Sequence, residues 1–163
     1  MRHSLLVVIA SSLSLASTAT AGLLPSKPSQ LADVSSGSNI SCKFFAQAYA
    51  IDTVQESDGT SVTFEIPAKH VFVVTSVDFN IQGPASGHRY EAAVSRENPT
   101  TGANANITEI AGVSNGSVNA TIVIPSGSVV KSGMRLCSVV DDFTDFSHPI
   151  AEIIVHGFFA ADK

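Results

Sequence analysis

The 163-residue chain carries 9 Lys and Arg against 14 Asp and Glu, a formal charge of −5, with 44% hydrophobic residues and no Trp. No basic cluster offsets that balance, so neither nucleic acid nor an anionic membrane surface is expected as a partner. Val, Ser, Thr and Ala are abundant and long Glu, Lys, Gln and Leu runs are absent, the composition of an all-β domain.

The chain opens with Met1-Arg2-His3, an apolar run from Leu5 to about Ala16, and Ala19-Thr20-Ala21. A short positive region, a greasy stretch and an A-x-A site describe a secretory signal peptide over residues 1–21. Ser11, Ser12 and Ser14 interrupt the run, which is shorter than the ~20 residues of a membrane span, and no membrane insertion is expected. Removing those 21 of 163 residues leaves 142, enough for one domain, and takes Arg2 with it, so the charge becomes −6. A secreted or periplasmic protein follows.

Gly22 to Asn39 has two prolines, many serines and no aromatic residue, and reads as a flexible leader. From residue 40 to 163 the pattern is that of a single sandwich domain. Cys42, Phe44, Ala46, Ala48 and Ala50 alternate with polar or outward residues, giving one long strand or two short ones up to Val54. Asp58-Gly59 supplies a tight turn, and Ser61 to Ile66 is the return strand, stopped by Pro67. Val71, Val73, Thr75, Val77, Phe79 and Ile81 then share a period of two over eleven residues, predicting a strand with one core face. That face is expected to meet Val118, Ala120, Ile122 and Ile124, or the last strand, across the core.

Gly83 to Gly87 is a loop, His88 to Arg96 a strand, and Glu97 to Asn106 a long polar loop. Ile107 to Val113 and Ser117 to Ile124 flank Asn115-Gly116, a strong hairpin signal, with Pro125 ending the second strand as Pro67 ended the earlier one. Met134 to Val140 is a strand, Asp141 to Pro149 an acidic loop, and Ile150 to Ala160, apolar on both faces, a mid-sheet strand. Eight or nine strands without a helix predict an all-β, antiparallel two-sheet sandwich, jelly-roll-like.

Chemistry is thin. Cys42 and Cys137 are expected to be bridged, closing a loop of about 95 residues worth on the order of 4–5 kcal/mol in the chain-entropy model. Gly112-Val113-Ser114-Asn115-Gly116 fits G-x-S-x-G, but a strand follows Ser114 where the nucleophile elbow needs a helix. Asp141, Asp142 and Asp145 are weak Ca²⁺ candidates, because the D-x-D-x-D-G spacing is missing and Phe143 and Phe146 interrupt the ligands. His70, His88, His148 and His156 show no zinc spacing, and only their positions in space can bring them together. Catalytic residues and cofactors are therefore none. Sequons stand at Asn39, Asn106, Asn115 and Asn119 and do not settle the host.

Ile66-Pro67-Ala68-Lys69 before Val71-Phe72-Val73-Val74, Met134-Arg135-Leu136 leading to Asp141, and Val155-His156-Gly157-Phe158-Phe159 carry a resemblance. Together they resemble a group of small secreted bacterial β-sandwich proteins of uncharacterised function. This implies a sandwich fold and a bacterial secreted origin, and it carries over neither an activity nor site residues. The functional expectation is a non-enzymatic binding or surface-interaction module for a protein or carbohydrate ligand, recognised through loops. Its rivals are an extracellular hydrolase built from Asp141, Asp142, His148 and Glu91, and a homo-oligomeric structural subunit.

Overall fold

The computed structural model describes residues 30–36, 40–44, 48–56, 58–82, 85–145 and 149–163. The expected signal peptide, most of the leader, Asn39, the Gly83-Pro84 start of a loop, Phe146 and His148 lie outside the described residues.

Ten strands form. They are β1 (Leu31–Ser35), β2 (Tyr49–Ile51), β3 (Thr53–Gln55), β4 (Ser61–Thr63) and β5 (His70–Gln82). Then come β6 (Arg89–Glu97), β7 (Asn104–Val113), β8 (Ser117–Lys131), β9 (Arg135–Asp142) and β10 (Ile150–Ala161). One sheet has the order β4-β3-β1-β10-β5-β8 and the other β2-β9-β6-β7. All pairings are antiparallel, and the partners β1–β10, β2–β9, β5–β8 and β6–β7 are those of one long hairpin rolled up on itself. That winding is the eight-stranded jelly roll. The β3–β4 hairpin is an addition, attached to the outer edge of β1.

Between the sheets, Phe72, Val74, Val77, Phe79, Ile81, Ile153 and Val155 of the larger one pack against Ile51, Ala92, Val94 and Leu136 of the smaller. As expected, β10 is central, between β1 and β5; Ile153 and Val155 of its inner face enter the core, and Phe158 and Ala160 of its outer face are buried with Val71, Val73 and Val129.

Several expectations are corrected. The leader expected through Asn39 contains β1, whose five residues pair with β10 from Leu31↔Phe158 to Ser35↔Ile154. Only five residues long, β1 gains its order from the edge of β10, a long-range partner with no local signal. Of the two alternatives for residues 40–54 the structure has two short strands, which lie in different sheets, and the return strand expected over Ser61 to Ile66 is regular only over Ser61–Thr63.

The single core face of β5 is also corrected. Its ladder slips between Val74 and Ser76, and β10 slips opposite between His156 and Gly157. The extra residue exchanges the faces. Phe72 and Val74 therefore share the core with Val77, Phe79 and Ile81, while Val71 and Val73 join Phe158, Ala160 and Val129 in a separate cluster. Finally, β8 does not end at Pro125. Its pairing with β5 jumps from Val123↔Ser76 to Ser128↔Val74, so the proline sits in a bulge of an edge strand, where a missing donor is tolerated. Val118, Ala120, Ile122 and Ile124 of β8 thus stand in the same sheet as β5, as does the last strand, β10, and neither strand faces β5 across the core.

Candidate functional site

His88 is placed by a turn. Its N–H donates to the Ala85 carbonyl at 3.0 Å, with Gly87 at φ 90° as the third turn residue, a conformation that favours glycine. Gly87 N donates to the Ser114 carbonyl and Ser114 N to the His88 carbonyl, both at 2.8 Å, which is a glycine bulge opposite Ser114. At the end of β9, Asp142 is buried, with Oδ2 2.8 Å from His88 Nδ1 and Oδ1 accepting from Thr144 N at 2.9 Å. Arg89 N donates to Thr144 Oγ1, and Phe143 N to the Arg89 carbonyl, which locks the acidic loop to the start of β6.

Of the three proposed Ca²⁺ ligands, two converge. Asp145 Oδ2 lies 3.9 Å from His88 Nδ1, so His88, Asp142 and Asp145 form one group of metal-capable atoms. Asp141 stands opposite Glu91 on the β6–β9 ladder, and strand alternation turns it to the other face from Asp142. Ser114 is buried, and its Oγ accepts from Gly116 N at 2.9 Å as a turn serine does. The hairpin predicted at Asn115-Gly116 joins β7 to β8. Of the four groups of the hydrolase reading, Asp142 pairs instead with His88, a residue outside that set, Asp141 and Glu91 stand opposite each other on the β6–β9 ladder, and His148 lies outside the described residues.

His156 lies on the outer face of the larger sheet. Nδ1 is 2.7 Å from Asp33 Oδ1, Nε2 is 2.9 Å from Asp78 Oδ2, and Thr121 Oγ1 donates to Asp78 Oδ1 at 2.7 Å. The chain of contacts crosses β1, β10, β5 and β8. Burial works against the imidazolium, but the hydrogen bonds to Asp78 and Asp33 and their charges outweigh it and raise the His156 pKa. The Thr121 hydroxyl and then His156 lower that of Asp78. His70 is exposed, with Nδ1 3.1 Å from the Ala68 carbonyl.

Glu97, expected in a polar loop, is fully buried. Its Oε1 accepts from Lys43 N and Phe44 N, Arg135 Nε lies 3.4 Å from Oε2, and Cys137 Sγ is 3.7 Å away. Cys42 and Cys137 are bridged with Cα atoms 6.3 Å apart, so their sulfurs are committed to each other and not to a metal. No local pattern marks Glu97, because its partners are 38 to 54 residues away.

A groove of about 550 Å³ opens where β1 and the β3–β4 hairpin separate. Only Val34↔Val54 and Ser35↔Thr53 join β1 to β3, so the hairpin diverges below Val34. Phe64 and Phe159, with ring centroids 5.9 Å apart, line it, Leu31 and Val62 are exposed along it, and Asp33, Glu56 and Glu65 contribute carboxylates. A second opening of about 300 Å³ shares Phe64 and Glu65 and continues toward Met134 and Arg135. Neither is lined by His88, Asp142 or Asp145. No protein-family model matches the chain, and no curated protein matches it.

Proposed function

We propose that the protein is an exported jelly-roll module that binds a ligand without transforming it, and that the groove between β1 and the β3–β4 hairpin receives the ligand. The observation carrying this reading is the groove itself. It has the ~300–1,000 Å³ scale of ligand sites and an aromatic wall, and the one hairpin added to the eight-stranded winding builds its side. The Cys42–Cys137 bridge suits an oxidising compartment, and no helix of the described residues is long and apolar enough to cross a membrane.

The test is a neutral-fragment screen followed by ¹H–¹⁵N NMR on the purified protein. Hits perturbing Ala32, Val54, Phe64 and Phe159 support the reading. Turnover of ester or glycoside substrates that disappears in Asp142→Asn would replace it with the hydrolase.

A further inference from the structure

Resting on that reading of the groove, we infer that its ligand is an extended cationic peptide segment, added as a strand to the open edge of β1.

The backbone supplies the first argument. On one side β1 is paired with β10 along all five residues, and on the other it meets β3 only at Val34 and Ser35. The Ser35 carbonyl accepts from Asp52 N, toward the hairpin. A strand turns alternate residues the same way, so the N–H and C=O groups of Asp33 and Leu31 also point into the groove. Strand addition uses such an edge.

Side chains supply the second. Ala32 and Val34 face the interior and Leu31 and Asp33 the outside, so an added strand would alternate likewise. Its inward residues would lie over Phe64 and Phe159, which asks for apolar side chains. Its outward residues would lie beside Asp33, Glu56 and Glu65, all exposed. Among the described residues, no Lys, Arg or His lines the groove. His156, one strand further in, holds one Asp33 oxygen and leaves Glu56 and Glu65 to set the charge. The complement is an alternating basic–apolar segment.

The probe is acetyl-Lys-Val-Lys-Val-Lys-amide, with acetyl-Glu-Val-Glu-Val-Glu-amide as its counterpart, read by NMR and amide hydrogen exchange. The lysine peptide is expected to slow exchange at Leu31 and Asp33, to shift Phe64 and Phe159, and to bind more weakly in 0.5 M salt. Glu56→Gln should weaken it by roughly two- to fivefold, and Glu56→Lys, at an exposed position, should shift preference toward the glutamate peptide. Equal binding of both peptides, or protection elsewhere, overturns the inference. If neutral fragments fill the groove and the lysine peptide does not, the inference fails while the groove reading stands. If neither binds there, both fall.

Discussion

At the scale of single residues, close packing and hydrogen bonds set the sharpest expectations. A Cβ built on Gly157 would lie 2.4 Å from the Val73 carbonyl oxygen and 2.6 Å from Phe72 Cζ. The first is backbone within a paired strand and cannot move aside cheaply, so Gly157→Ala is expected to cost about 1–3 kcal/mol in urea unfolding. An unchanged midpoint would mean that β5 and β10 can separate more easily than their ladder suggests. His156 gives a pH signature. Its folded pKa is raised above the ordinary 6.5, so its contribution is complete below pH 6.5 and is lost as pH rises through the folded value. Asp78, depressed below 3.8, contributes fully above that value and loses its contribution as pH falls through the folded pKa. Between pH 3.8 and 6.5 both contributions are complete. Denaturation midpoints should therefore fall on the alkaline side of that window, and His156→Asn should flatten that limb. Neither residue's partner was legible in the sequence, since Asp33 and Asp78 stand 123 and 78 positions from His156. Tyr90, Ala92 and Val94 were legible, because their period of two is local.

At the scale of elements, what could be read was what neighbours in sequence decide. Asp58-Gly59 and Asn115-Gly116 make hairpins because each turn needs only its own residues. The bulge that exchanges the faces of β5 has no such mark. Thr75 suits a regular strand, and only the registers with β10 and β8, both of which skip it, show that an extra residue is present. Pro125 likewise looked like an end, because sequence does not say that β8 lies at a sheet edge. The strand hidden in the expected leader has a measurable consequence. Val34 is fully buried, and β1 covers one edge of β10. A chain lacking Leu31–Ser35 leaves the apolar residues of β10 beside an open edge, and it should unfold at lower temperature and self-associate in light scattering. A monomer of unchanged thermal stability would reduce β1 to an ornament of the sheet.

For the molecule as a whole, the decisive fact is how the rolled hairpin is closed. Its two ends meet at β1–β10 and β2–β9, and the second of these is slight, with three rungs from Tyr49↔Ser138 to Ile51↔Leu136. Beside it the 41–44 segment is held by the Cys42–Cys137 bridge and by Glu97, whose carboxylate accepts two backbone N–H groups there. The bridge spans 95 positions, for which chain entropy allows about 4–5 kcal/mol, an upper figure if the reduced chain retains structure. Glu97→Ala removes an acceptor and leaves Lys43 N, Phe44 N and Arg135 without it, at a cost of about 1–3 kcal/mol. Because both devices hold the same segment, their losses should not add. Once the bridge is gone and 41–44 is loose, Glu97→Ala has less left to disrupt. A double-mutant cycle with Cys42→Ala/Cys137→Ala and Glu97→Ala, read by urea unfolding, is expected to give a combined loss smaller than the sum. Hydrogen exchange should show the Ala50 amide opening well before that of Val77 in the bridge-less variant. Strict additivity would mean that Glu97 stabilises the smaller sheet through Arg135 alone, independently of the segment that the bridge pins.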